Sequence, residues 1–173
     1  MIRILLDTNV YGELILDKAV IENFLSLIPS PLLIYGSEIV RAELRDVSKK
    51  EKVEDKSKRI LLLNLYDALT QEEGRTYRTT PFIEILALQY FDEYSKLRGL
   101  RGYEELRKDF VIIATASIHG LDVVVSNDTK TMLSKEAKEA YESTNDKNQL
   151  RTPQLLCYEE LKSMIRRLKD ERA

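Results

Sequence analysis

The chain has 173 residues, with 29 Asp and Glu against 27 Lys and Arg and a single His, for a net charge of −2. This length suits one domain spanning residues 1–173 and leaves little room for two, and an apolar fraction of 43% excludes global disorder. The longest apolar run is Phe110–Ala114, far short of the ~20 residues of a membrane span. Asp7 interrupts the N-terminal apolar residues before a signal-peptide core forms. The lone Cys157 excludes internal disulfides and a cysteine-rich zinc site, and the lone His119 excludes a multi-His metal centre. A near-neutral charge provides no global cationic field for coating nucleic acid. The expectation is a cytoplasmic protein with no membrane partner, whose acid chemistry rests on carboxylates.

In chain order, Ile2–Leu6 reads as a buried strand ending at Asp7. Residues 10–27 show helical spacing at Val20, Phe24 and Leu27 and stop before Pro29 and Pro31. Leu32–Tyr35 reads as a second strand, after which Ser37 is placed to cap a helix through Ile39, Val40 and Leu44. The charge-dense stretch Arg41–Arg59 predicts a solvated helical segment or a break between helices, with Lys49, Lys50, Lys52, Lys56, Lys58 and Arg59 on a solvated face. Ile60–Leu69 and Phe82–Leu97 predict apolar helices separated by a loop between Gly74 and Pro81. Their apolar bulk exceeds one stripe and is compatible with a homodimer interface. Gly99 and Gly102 precede a helix over Tyr103–Ile118, with Gly120 as its C-terminal cap. Val123–Val125 predicts a third strand, Thr131–Tyr141 a helix, Ser143–Asn148 a polar loop, Gln154–Cys157 a weak fourth strand and Tyr158–Lys169 a closing amphipathic helix. Strands alternating with helices imply an α/β class: a three-layer α/β/α domain with a parallel sheet of four or five strands, and a helical elaboration at about residues 46–108.

Ligands of open parallel sheets bind beyond the carboxyl ends of the strands. The first strand delivers Asp7, Thr8 and Asn9 there, and the third delivers Ser126, Asn127 and Asp128. Glu43 follows in the helix after the second strand. Asp109 opens a later helix, in register with Ile112, Ile113 and Ala116, so that it shares their inward stripe. An inward carboxylate is costly unless paired or bound to metal. Four gathered acids would repel one another, a penalty that Mg²⁺ or Mn²⁺ removes. Such an ion can activate water and stabilise the leaving oxygen of a phosphodiester.

The order Asp7-Thr8-Asn9-Val10, Ala42-Glu43-Leu44, Asp109 with Ile112-Ile113-Ala114-Thr115-Ala116, then Gly120-Leu121 and Val125-Ser126-Asn127-Asp128 resembles the PIN-domain family, and among its members the VapC-type toxin ribonucleases. The resemblance implies a PIN-like fold and metal-dependent cleavage of RNA, with Mg²⁺ or Mn²⁺ held by Asp7, Glu43, Asp109 and Asp128 as the catalytic acids. Thr8, Asn9, Ser126 and Asn127 take supporting or substrate-contact positions. It also implies an RNA substrate and an inhibitory antitoxin protein as partner. The long stretch between Glu43 and Asp109 departs from the compact form of such toxins. Alternatives within the same fold are a catalytically inactive partner-binding module and a nuclease with a non-toxin RNA-processing role. A phosphatase of the haloacid dehalogenase type requires a second Asp two residues after the first, where this chain has Asn9.

Overall fold

In the computed structural model, which describes residues 1–70, 75–97 and 99–172, the first strand, β1, covers Ile2–Leu6. It is flanked by β2 (Leu32–Ser37) and β6 (Val123–Val125). The outer strands are β5 (Thr76–Tyr77) beside β2 and β7 (Gln154–Leu156) beside β6. The order β5-β2-β1-β6-β7 is parallel throughout. Ile4, Leu5 and Leu6 of β1 are buried, as are all three valines of β6. Central strands covered on both faces read as apolar runs, as Ile4–Leu6 and Val123–Val125 do; Arg3, nearer the start of β1, is only half-buried.

The helices are α1 (Thr8–Leu14), α2 (Lys18–Ser26), α3 (Glu38–Asp46), α4 (Lys58–Thr70), α5 (Pro81–Lys96), α6 (Tyr103–Ile118), α7 (Lys135–Lys147) and α8 (Tyr158–Asp170). Residues 8–27 therefore form two helices rather than one. The second is started by Asp17, whose carboxylate accepts from the Val20 N–H. Ser37 does precede α3, but its hydroxyl makes no capping bond.

In three further segments the structure adds to the expectation or departs from it; the first, Arg41–Arg59, is the break between helices, filled by a hairpin. Within Arg41–Arg59, α3 ends at Asp46 and an antiparallel hairpin follows, β3 (Lys52–Val53) and β4 (Lys56–Ser57). The stretch 46–108 thus carries strand pairing as well as α4 and α5. Thr131 lies in a turn, and α7 starts only at Lys135, capped by the Ser134 hydroxyl. Residues 143–147 continue α7 instead of forming a polar loop. Their polar side chains are absorbed internally: Asn145 is fully buried, accepts from Tyr90 Oη at 2.6 Å and donates to Ser117 Oγ and Thr152 Oγ1. This network ties α7 to α5 and α6. Gly74 lies outside the described residues.

Phe110 anchors α6 at the centre of an aromatic cluster, edge-on to Tyr90, Tyr94 and Tyr141. At the β2–α3 junction a close approach requires glycine. A Cβ on Gly36 would lie 1.8 Å from Tyr66 Oη and 2.9 Å from Thr76 Oγ1. Tyr66 holds this corner by bonding to the Ser37 carbonyl and the Thr76 hydroxyl. Gly36→Ala is expected to lower stability by about 1–3 kcal/mol through overpacking, read as a lower urea midpoint at unchanged slope.

Candidate active site

The four acids come from four different elements. Asp7 follows β1 and caps α1, Glu43 lies on α3, Asp109 on α6, and Asp128 just after β6. β1 and β6 are paired in parallel, so Asp7 and the Ser126–Asp128 segment emerge at the same edge of the sheet.

Asp7 is the most enclosed, only 6% exposed. One carboxylate oxygen accepts from the Thr8 N–H at 2.7 Å; the other accepts from Ser126 Oγ and Asn9 Nδ2, both at 2.7 Å. Burial pushes its pKa up. The Ser126 and Thr8 bonds oppose that push, and the charges of Glu43 and Asp128 add to it. Glu43 accepts from Thr8 Oγ1 at 2.5 Å on one oxygen and from Lys108 Nζ at 2.7 Å on the other. Thr8 therefore links the first acid to the second, through its N–H on one side and its hydroxyl on the other.

Asp109 opens a stretch of α6 that is buried on every side from Phe110 to Ser117, so its burial follows from the position of the whole helix rather than from one inward stripe. Its carboxyl is pushed up to about 7, chiefly by burial. A hydrogen bond from the Thr131 hydroxyl works against the shift, while the charges of Asp7, Asp128 and Glu43 reinforce it. Burial also acts to raise Asp128. There the N–H groups of Thr131 and Lys130, at 2.8 and 2.9 Å, and the charge of Arg101 prevail and hold the group below the usual carboxylate value. The charges of the neighbouring acids thus bear on Asp7 and on Asp109.

The supporting residues form a second layer. Asn9 Oδ1 accepts from the Asn127 N–H at 3.0 Å, and Ser126 Oγ accepts from the Asp128 N–H at 3.0 Å. The Asn127 side chain turns away from the acids and accepts from the Tyr158 N–H at 2.9 Å, fixing the start of α8. Sequence reasoning missed Thr131 and Lys108. Thr131 had a signal, since Asp-x-x-Thr after a strand is an Asx-type turn that satisfies the acid locally. Lys108 had only its adjacency to Asp109. His119 ends α6 and stacks on Tyr77 at 3.6 Å between ring centroids, remote in role from the acids. Cys157 caps α8 through its backbone, whose N–H donates to Glu160.

The donor set is made of carboxylates, with hydroxyl and amide groups behind them, which suits a hard divalent cation. The buried Asp7 and the raised Asp109 are groups that such a charge would relieve. Among the described residues no group of three or more His, Cys, Asp or Glu side chains is gathered closely enough to hold a metal ion together. This is compatible with Mg²⁺, which usually keeps several waters rather than filling its shell with protein ligands.

Fold and site together define a parallel α/β domain with an acidic centre at the carboxyl edge of its sheet. The sequence matches the PIN domain family over residues 4–137, and the chain belongs to that family. No curated protein matches it. Among solved structures it is similar to VapBC2 from Rickettsia felis, bound to a DNA fragment from their promoter, at 17% identity and a TM-score of 0.58, covering 90% of this chain and 98% of the other. It is also similar to DNA-bound VapBC from Salmonella typhimurium, at 20% identity and a TM-score of 0.57, covering 91% and 99%. FitAcB from Neisseria gonorrhoeae matches at 26% identity and a TM-score of 0.55, covering 78% and 93%.

Proposed function

We propose that this chain is a metal-dependent endoribonuclease, the toxin of a toxin–antitoxin pair, with Asp7, Glu43, Asp109 and Asp128 holding Mg²⁺ or Mn²⁺. The observation that carries this reading is the linkage of the four acids in pairs, Thr8 bonding both Asp7 and Glu43 and Thr131 bonding both Asp109 and Asp128, with Asp7 and Asp109 raised chiefly by burial. Such a site is unfavourable for the fold alone and becomes favourable once a dication is present.

A divalent ion bound there would supply an activated water and neutralise charge on the leaving oxygen of the phosphodiester. The protein's part is to fix the acids. Ser126, Asn9 and the Thr8 N–H hold Asp7, so its orientation costs no reorganisation when substrate arrives. Thr131 fixes Asp109 and Asp128 relative to one another, and Thr8 sets Glu43. With its acids neutralised by cations, the site can accept the polyanionic RNA that it would otherwise repel, so RNA association should depend on the ions.

A protein partner of antitoxin type belongs to this reading, supported by the similarity to VapBC and FitAcB. The exposed apolar side chains of α5, Phe82, Ile85 and Leu88, form a stripe that an associated chain would cover. Among the described residues no helix is long and apolar enough to cross a membrane.

The test is a cleavage assay on partner-free protein with a mixed cellular RNA substrate. Cleavage is expected with Mg²⁺ or Mn²⁺, absent in EDTA, and lost in Asp7→Asn. Cleavage that persists undiminished in Asp7→Asn would come from a contaminant and would overturn the reading.

A further inference from the structure

Both oxygens of Glu43 are occupied, and by unlike partners. Thr8 Oγ1 sits on a short, half-buried side chain at the first residue of α1, beside Asp7. Lys108 Nζ reaches the other oxygen on a flexible four-carbon stem whose side chain is 59% exposed. Among the described residues, Lys108 is the side-chain cation in direct contact with one of the four acids. Of the neighbouring guanidinium groups, Arg107 pairs with Glu84, and Arg101 pairs with Glu105 while its charge also helps to hold Asp128 down. Lys130 contributes its backbone N–H to Asp128.

We propose that Lys108 is a substrate-positioning cation of this site. Its ammonium neutralises Glu43 while the site is free of ions, and passes to an RNA phosphate once a divalent ion engages that carboxylate. The inference rests on the ribonuclease reading above. A dication on Glu43 competes with the ammonium for the same anionic oxygen, and Lys108 is the partner able to leave, because its side chain is exposed and flexible whereas Thr8 is fixed on α1. Once released, it remains one residue from Asp109, at the rim where the phosphodiester must lie. A compact, fully charged ammonium with three rotatable donors is suited to a phosphate held in no fixed planar geometry. Lys108 thus spares the empty site part of its self-repulsion and then contributes an attractive contact that appears only when the ions are bound.

The experiment compares wild type, Lys108→Gln and Lys108→Arg, each as the partner-free full chain. Mn²⁺ binding is titrated by calorimetry without RNA, and KM for RNA cleavage is measured in saturating Mn²⁺ over a range of salt. Loss of the competing ammonium is expected to tighten Mn²⁺ binding of Lys108→Gln about two- to fivefold, the scale of an exposed ion pair. In the same variant KM should rise several-fold, and the slope of its logarithm against log salt should flatten by about 0.7, the signature of one lost single-strand phosphate contact. Lys108→Arg, which keeps the charge, should restore the salt slope. If wild type binds no Mn²⁺, the metal-site reading itself fails and the inference falls with it. If wild type binds Mn²⁺ but Lys108→Gln leaves either the affinity or the salt slope unchanged, the transfer is overturned while the site reading stands.

Discussion

Asp109→Asn is expected to abolish cleavage while making the metal-free protein more stable. The two effects share one cause. Folding buries this carboxyl among three other acids and raises it from 3.8 to about 7. Between those values the folded protein keeps a proton that the unfolded chain has released, so metal-free stability falls as pH rises from about 4 to about 7. At ~1.4 kcal/mol per pKa unit, the deficit at neutral pH is on the order of a few kcal/mol. The raised Asp7 contributes in the same direction, whereas the lowered Asp128 adds stability that is lost only as pH drops below its ordinary range. Asparagine carries no charge to bury, and its carbonyl can still accept the Thr131 hydroxyl. At about 2–4 °C per kcal/mol for a chain of this size, the melting temperature in EDTA should rise by roughly 5–10 °C at pH 7.5 and change little at pH 4. Activity should fall by about a hundredfold or more, as when one preorganised charge-stabilising group is removed. A variant less stable than wild type at pH 7.5 in EDTA would show that Asp109 is paired in the fold rather than strained by it.

Phe110→Ala, one position along, should behave in the opposite way. The ring is fully buried and contacts Tyr90, Tyr94 and Tyr141 edge-on, so its removal leaves a cavity in the layer that orients α6. Truncations of this kind cost about 3–5 kcal/mol, equivalent to a melting temperature lower by roughly 6–20 °C. Cleavage by Phe110→Ala should persist wherever the protein remains folded, with specific activity following the folded fraction. The adjacent pair Asp109 and Phe110 thereby separates function from stability. If Phe110→Ala lost activity while fully folded, α6 would be positioning Asp109 through this ring more tightly than the Thr131 bond alone implies.

The parts of this protein that were legible in the sequence are those where one residue pattern serves one environment. β1 ends in the apolar run Ile4–Leu6 directly before Asp7, and β6 is three valines followed by the polar Ser126-Asn127-Asp128. The hairpin β3–β4 was hidden for a stereochemical reason. Its turn places Glu54 and Asp55 at φ of 47° and 63°, without the Asn-Gly that usually marks two consecutive left-handed residues. β5 spans Thr76 and Tyr77 and owes its extension to pairing with Gly36 and Ser37, which no local pattern encodes. Residues 143–147 are polar enough to resemble a loop, yet Thr144 and Asn145 are buried. What keeps them helical is the partnership of Asn145 with Tyr90, Ser117 and Thr152, all distant in sequence or outside the helix. The site shows the same division. The order of the four acids along the chain is legible, and so is the local Asp128–Thr131 turn, but the contacts of Thr131 with Asp109 and of Lys108 with Glu43 arise only from where the fold carries them.

The most direct test of the central claim is Mn²⁺ titration of partner-free protein carrying single neutralisations at Asp7, Glu43, Asp109 and Asp128, beside a control at Asp170, which lies at the end of α8. If the four acids act as one metal site, each of the four variants should bind Mn²⁺ about tenfold more weakly or worse, a loss of ~1.4 kcal/mol or more, while Asp170→Asn binds as wild type does. Equal Mn²⁺ affinity in wild type and all four variants would contradict the account.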